Sequence, residues 1–467
     1  MPLLIRNGRV ITSDQDVMAD VYAEGETITR LEPAIDLASL PSDTTVIDAD
    51  GKLVFPGFID PHVHIHLPFM GTNAIDDHAS ATQAAIVGGT TSIIEMICPG
   101  PQDEPSAAFN EWKKLAEDRS TGSCCDFSFH LSVVRFDELA RKQVRELVRD
   151  EGIRSFKIFL AYKGALDISD ENLFSLLEMA NELGIVVTAH CENAAAIDLM
   201  QKRLIAEGKT GPQWHEPSRP RSVEAAGVNH LCAFAELTGA HIYIVHTSCN
   251  AALEQALGGR SRGVNVSIEA VAPHLVLDKT YAEREDFEGA KYVMSPPLRD
   301  SEEHKALWNA LARRDIATVG TDHAPFNFAG QKDMGRKEFT AIPNGIPSIQ
   351  ERIDLLHTYG VCTGRIDLNV LVDACSTQSA KIFGMYPQKG TIAVGSDADL
   401  VVYDPNYRGK FTVDDSLSKV DYCGFEGMDR CGRAEYVTLR GKLVAQEGRY
   451  IGGDANGQYI VREFLSV

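Results

Sequence analysis

His62 and His64 stand two apart in the run GFIDPHVHIH, and imidazoles at that spacing in an extended segment face the same side and can grip one metal ion. Their company makes the pair informative. His190 in GIVVTAHCE, His246 in HIYIVHTS and Asp322 in IATVGTDHA lie near the far ends of other apolar, strand-like runs, so four imidazoles and a carboxylate are available. Such donors suit zinc, manganese, iron or cobalt. Five independently satisfied polar residues are the bland alternative, which leaves their shared position at one end of each run unexplained. Lys157 is the sixth position. Its neighbours in SFKIFLAY are Phe156, Ile158, Phe159 and Leu160, so a free ammonium there is desolvated with no carboxylate in its own strand. Burial biases such a lysine toward the neutral amine, which can add carbon dioxide to form a carbamate, an anionic group suited to bridging two cations. A Schiff-base lysine and a lysine snorkelling to a rim are the competing readings.

These positions need elements to bring them together. Eight strand-like runs recur at 58–66, 90–97, 124–134, 155–162, 184–192, 241–248, 264–272 and 316–324. Between them, stretches such as ENLFSLLEMANELG and SEEHKALWNALARRD place apolar residues at i, i+3, i+4 and i+7, the helical spacing. The alternation predicts an α/β fold, a (β/α)8 TIM-like barrel over 56–385. All strand C-termini of such a barrel open on one mouth, so the six scattered positions converge. The chain ends have a different rhythm. LLIR-NG-RVIT reads as a hairpin turning at Asn7–Gly8, and GTIAVGSDADLVVYD and YVTLRGKLVAQEG are further strands separated by glycine turns. Residues 1–55 and 386–467 are therefore expected to share a small β-sandwich domain formed from both chain ends.

With 467 residues the chain accommodates about three compact units or one large decorated barrel. The 66 acidic and 45 basic residues leave a net charge of −21, with no basic block, which argues against a nucleic-acid partner. No apolar run approaches the roughly 18–20 residues of a membrane span. MPLLIRNGRVITSD breaks its apolar start with Arg6 and Asn7 and does not read as a secretion signal, so a soluble, cytoplasmic protein is expected. The ten cysteines lack a C-x-x-C pair, with Cys124 and Cys125 adjacent in an apolar strand, and read as buried free thiols.

The strings GFIDPHVH, SFKIFLAYKG, TAHCEN, VHTS, YVMSPPLR, GTDHAPFNF and IPNG, with GTIAVGSDADLVVYDP near the C-terminus, together resemble the hydantoinase and dihydropyrimidinase family of the cyclic amidohydrolases. The resemblance runs nearly the whole chain. It implies two divalent metal ions per subunit, usually zinc, with His62, His64 and Asp322 holding one and His190 and His246 the other. Lys157, carboxylated by carbon dioxide to N6-carboxylysine, would bridge them. It further implies that Tyr162 hydrogen-bonds the carbonyl under attack, that Ser295 and Asn344 meet the ring amide, largely through main-chain groups, and that Asp322 shuttles the proton. The implied reaction opens a hydantoin or 5,6-dihydropyrimidine ring to an N-carbamoyl amino acid, in a homotetramer acting on a small molecule. Allantoinase or another cyclic ureide amidohydrolase is the alternative, and a non-catalytic scaffold of the same fold is a third reading.

Other residues invite chemistry and are read more plainly. His66 continues the alternation of His62 and His64 but is expected to shape the loop HLPFMGTN rather than bind metal. Dihydroorotase-like relatives carry an arginine at that position and hydantoinase relatives more often an acid, so His66 departs from both. His323 is expected to be structural, His274 to orient a neighbour or pack, and His130 to sit at the core edge. Glu95 and Glu269 are candidates to hold ligating histidines from behind. The Gly-rich stretch 324–348 is too long for an ordinary connection and reads as a substrate-covering loop. Leu67, Phe69 and Phe159 are expected near the pocket for a ring substituent.

Overall fold

The computed structural model describes residues 2–100 and 102–463. All eight predicted runs are strands of one parallel sheet: Phe58–Val63, Thr90–Ile97, Asp126–Ser132, Ser155–Phe159, Val186–His190, His241–Ile244, Val266–Val271 and Thr318–Gly320. Each pairs with the next in sequence, the order expected when every strand returns through a helix. Hydrogen bonds from His64 N to the His323 carbonyl (2.8 Å) and from Asp322 N to the His62 carbonyl (2.9 Å) join the last strand to the first and close the barrel. Below this seam Arg352, fully buried, donates to the carbonyls of Ile59 (2.8 Å) and Val319 (3.0 Å) and to Thr90 Oγ1 (2.9 Å). One guanidinium thus ties the first, second and eighth strands together.

The helices follow their sequence signals. Ser169 caps Asp170–Leu183 by accepting from Asn172 N, and Gly184 ends it in the left-handed region at φ 64°. Cys124 and Cys125 precede the third strand rather than lying in it; all ten cysteines are free, nine of them buried and Cys362 exposed.

Strands from both chain ends share one nine-stranded sheet with its own apolar core, including Leu3, Ile5, Val21, Val54, Leu400 and Val402. Leu400–Lys410, from the C-terminal part, pairs antiparallel with Leu53–Pro56, from the N-terminal part. The hairpin expected at Asn7–Gly8 is absent. Leu3–Ile11 is a single strand in which this pair makes a bulge, the register slipping by one residue between Ile5 and Gly8 against the neighbouring strand. Asn7 has the positive φ of a turn residue (60°), but Asp20 Oδ1 accepts its N–H (2.8 Å), and a Cβ at Gly8 would lie 2.4 Å from Val54. Left-handed propensity serves bulges and turns alike, and tertiary partners selected the bulge. Farther on, Arg440–Gly441 does form a tight turn, with φ 46° and 74°, between Asp429–Leu439 and Lys442–Gln446.

The C-terminal tail packs against the starts of the third and fourth strands: Ile460 N donates to the Phe127 carbonyl (2.7 Å), and buried Arg462 donates to Ser155 Oγ (2.9 Å). Residues 464–467 of the expected sandwich segment lie outside the described residues. Among the described residues no helix is long and apolar enough to cross a membrane.

Candidate active site

At the C-terminal mouth of the barrel a cleft is lined by His64, Lys157, His190, His246 and Asp322, together with Tyr162, Ser295 and Asn344. His62 lies just beneath, fully buried, its ring centroid 5.3 Å from that of His64 and 5.4 Å from that of His246. The rings of His190 and His246 are 4.6 Å apart. All nine residues singled out in the sequence are thus at one mouth. One Asp322 oxygen, Oδ1, lies 3.2 Å from Nε2 of both His62 and His64.

Three of these residues use strained backbone. Tyr162, His246 and Asp322 have φ of 64°, 40° and 50°, each two or three residues past the end of its strand. Left-handed conformations cost a non-glycine residue roughly 1–3 kcal/mol. They also break the in-out alternation of a strand, which lets the chain turn outward while the side chain stays over the mouth.

Several of these groups have the electrostatics of metal ligands. Burial opposes protonation of His62, but the Glu269 and Asp322 carboxylates outweigh it and raise its pKa to about 9. Asp322, although desolvated, is held well below the usual carboxylate range by His62 and His64. The two carboxylates therefore call for positive charge at this point. On the other side, burial lowers His190 and, more strongly, His246, so both are neutral imidazoles. His190 donates Nε2–H to Glu192 Oε2 (2.7 Å), which leaves Nδ1 as its free lone pair. His246 Nδ1 is buried with no hydrogen-bond partner. Burial also lowers Lys157, against the pull of Asp322 and Glu269; its amine lies 5.1 Å from the Phe159 ring centroid. An unpartnered buried nitrogen on His246, the Nδ1 lone pair that the Glu192 hydrogen bond leaves free on His190, and His62, His64 and Asp322 with donor atoms within 4.8 Å of one another make a donor set that fits metal ions.

Behind these residues sit their supports. Glu269 Oε1 accepts from His62 Nδ1 (2.7 Å) and from His246 N (2.8 Å), and its Oε2 accepts from Tyr243 OH (2.8 Å). Glu95 instead takes His78 Nε2 (2.7 Å) and His66 N (3.0 Å), and so holds none of the clustered histidines. Glu192 went unread in the sequence, although the H-x-E spacing of His190 and Glu192 was a usable signal. Arg219 had no such signal: it donates to Glu192 Oε2 (2.5 Å), and its guanidinium lies 5.4 Å from the Tyr162 ring centroid. Cys98 also escaped notice; it lines the cleft with Sγ 3.9 Å from His64 Nδ1.

The remaining histidines lie apart from the cluster. His66 is half-buried with its ring edge-on to Trp112 (5.1 Å) and does not line the cleft. His323 pairs with Asp76 (3.1 Å), His274 donates to the Pro296 carbonyl (3.0 Å), and His130 spans Ser155 Oγ and the Pro61 carbonyl. Leu67, Phe69, Phe159 and Leu166 form the apolar part of the wall, and Ala324, Asn344 and Gly345 bring in the long loop.

A parallel eight-stranded barrel with histidines, an aspartate and a buried lysine at its C-terminal mouth defines a metal-dependent hydrolase class, and the chain belongs to the Amidohydrolase family, whose model matches residues 53–444. Within it the chain falls in the hydantoinase and dihydropyrimidinase branch. It is 40% identical to the D-hydantoinase of Geobacillus stearothermophilus over 99% of this chain and 97% of that one. To the dihydropyrimidinase of Rattus norvegicus it is 36% identical, over 99% and 89% of the two chains. The solved D-hydantoinase (dihydropyrimidinase) from Thermus sp. superposes with a TM-score of 0.96 at 53% identity, covering all of both chains.

Proposed function

We propose that this enzyme, a metal-dependent cyclic amide hydrolase, opens hydantoins, 5,6-dihydropyrimidines or both to N-carbamoyl amino acids. The observation that carries the proposal is the convergence of four imidazoles, Asp322 and the buried Lys157 at the foot of a cleft with Tyr162 on its wall. His62, His64 and Asp322 would hold one ion and His190 and His246 the other, with Lys157 as N6-carboxylysine between them. When bound there, two divalent ions, zinc in our reading, would supply hydroxide near neutral pH by lowering the pKa of water toward about 7, and would polarise the amide carbonyl.

The protein's own residues do the rest. Tyr162 keeps its proton, because burial raises its pKa against the opposing Arg219 charge, and it can donate to the developing oxyanion. Asp322 takes the proton released on attack and delivers it to the departing ring nitrogen, which is too basic to leave as an anion. Asn344 Nδ2 donates to Ser295 Oγ (2.9 Å), and the main-chain groups of these two residues would receive the ring amide. Leu67, Phe69, Phe159 and Leu166 would face the ring substituent.

Turnover of hydantoin, 5-phenylhydantoin, dihydrouracil, allantoin and dihydroorotate tests the assignment. Activity on one or more of the first three is expected; inactivity on all three would sink it, and activity on allantoin alone would favour the allantoinase reading. Lys157→Ala should lose metal and activity, with partial rescue by short-chain carboxylic acids; full activity would exclude the carbamate. A cytoplasmic homotetramer is proposed on the family likeness, and sedimentation of the purified enzyme checks its assembly.

A further inference from the structure

We propose that Lys332 is a positioning residue that sets the spacing between Ser295 and Asn344, the pair assigned above to the ring amide. The proposal deepens that functional reading and rests on it.

Lys332 begins the short turn Lys332–Arg336 in the long loop after the last barrel strand, and its side chain is fully buried. Its Nζ donates to the carbonyls of Val293 (3.0 Å) and Pro343 (2.9 Å). Val293 lies two residues before Ser295, and Pro343 directly precedes Asn344. The two segments meet again where Gly345 N donates to the Val293 carbonyl (2.9 Å) and where Asn344 Nδ2 donates to Ser295 Oγ (2.9 Å). Lys332 thus closes a small circuit of hydrogen bonds between two irregular segments that no sheet ladder joins. The circuit has little slack: Gly345 has φ 150°, and a Cβ there would lie 2.3 Å from the Ala324 carbonyl oxygen.

Packing alone does not call for a lysine here. Val293, whose carbonyl Lys332 meets, belongs to an apolar cluster with Ala290, Phe339 and Ile342. Burial, the single cause acting on it, lowers the Lys332 pKa to about 7. Such a group is costly unless its N–H donors are needed. Two carbonyls require two donors, and a neutral amine still has two, so the clamp survives loss of the charge. Lys332 does not line the cleft, and therefore acts through Ser295 and Asn344 rather than on substrate.

Lys332→Met removes the donors at similar length, and Lys332→Gln keeps an N–H2 group on a shorter arm. Metal content, steady-state kinetics on hydantoin and hydrogen exchange of the metal-loaded proteins provide the readouts. The Met variant should keep its metal and show a KM raised ~10-fold or more, with kcat falling by less, because misplacing a binding group by about an ångström weakens its contact. The Gln variant should fall between it and wild type. Exchange should quicken in peptides spanning 293–298 and 340–347 and stay unchanged in the barrel strands. A Met variant with wild-type KM and exchange overturns the proposal, as does exchange that quickens throughout the molecule. If the Met variant does not fold, the Gln variant decides: faster local exchange with a raised KM supports the clamp, and unchanged local exchange overturns it. A wild-type enzyme that opens none of the cyclic amides would sink the functional reading, and the exchange measurement would still decide whether Lys332 holds the two segments.

Discussion

Tyr162 combines a left-handed backbone, a ring 5.3 Å from that of His190 and the Arg219 guanidinium 5.4 Å from its own ring centroid, in the wall of the cleft. If that hydroxyl is an oxyanion donor, Tyr162→Phe should lower kcat by about 10²–10³ with little change in metal content, measured by steady-state kinetics and elemental analysis. Glu192 has a different duty. It accepts from both His190 and Arg219, and the Arg219 charge with the His190 hydrogen bond overcomes desolvation to bring its pKa down to about 2. Glu192→Gln should weaken metal binding by about 10–100-fold in a competition titration. The same shift has a pH signature. A carboxylate depressed in the folded state stabilises it above the ordinary value near 4.3 and loses that contribution as pH falls toward 2. In metal-free protein, the advantage of wild type over Glu192→Gln in urea should therefore be greatest near neutral pH, about 3 kcal/mol, and shrink on acidification. A constant difference across that range would contradict the assigned role.

At the scale of elements, the seam between the last and first strands decides whether the site exists, because His62, His64 and Asp322 all lie along it. Main-chain bonds join its upper half and Arg352 its lower half. Arg352→Met would remove the guanidinium's hydrogen bonds to Ile59, Val319 and Thr90, a cost of about 3 kcal/mol, visible as a lowered unfolding midpoint together with weaker metal retention. An unchanged midpoint would mean that water or a shifted side chain replaces the guanidinium. The eight strands and many helices were readable because hydrophobic periodicity and caps are local signals. The seam was not, since Arg352 is more than thirty residues from the nearest strand it binds.

For the molecule as a whole, the excess of 21 negative charges says little about the mouth, where metal ions would reverse the local sign. Ions that bind only the folded chain stabilise it by mass action, about 3 kcal/mol for a site at a hundredfold excess over its Kd. Stripping them with dipicolinate should lower the unfolding temperature, and zinc should restore both temperature and activity. Activity that survives complete removal of metal would refute the metal-dependent mechanism. The terminal sheet and the tail also belong to this scale. They brace the barrel from the ends of the chain, well away from the mouth.

The sequence by itself determined which chemistry was possible: His62, His64, His190, His246 and Asp322 follow apolar runs, and Lys157 lies among apolar neighbours, so donor types and strand ends were visible without coordinates. It also determined the barrel, whose alternation of periods is written residue by residue. Tertiary structure alone decided that Asn7–Gly8 bulges rather than turns, that Glu269 and Glu192 rather than Glu95 support the histidines, that His66 packs on Trp112, and that Lys332 spans two loops. The reason is physical. A period or a cap is set by neighbours a few residues away, whereas these choices depend on hydrogen-bond partners whose distance along the chain carries no information about their distance in space.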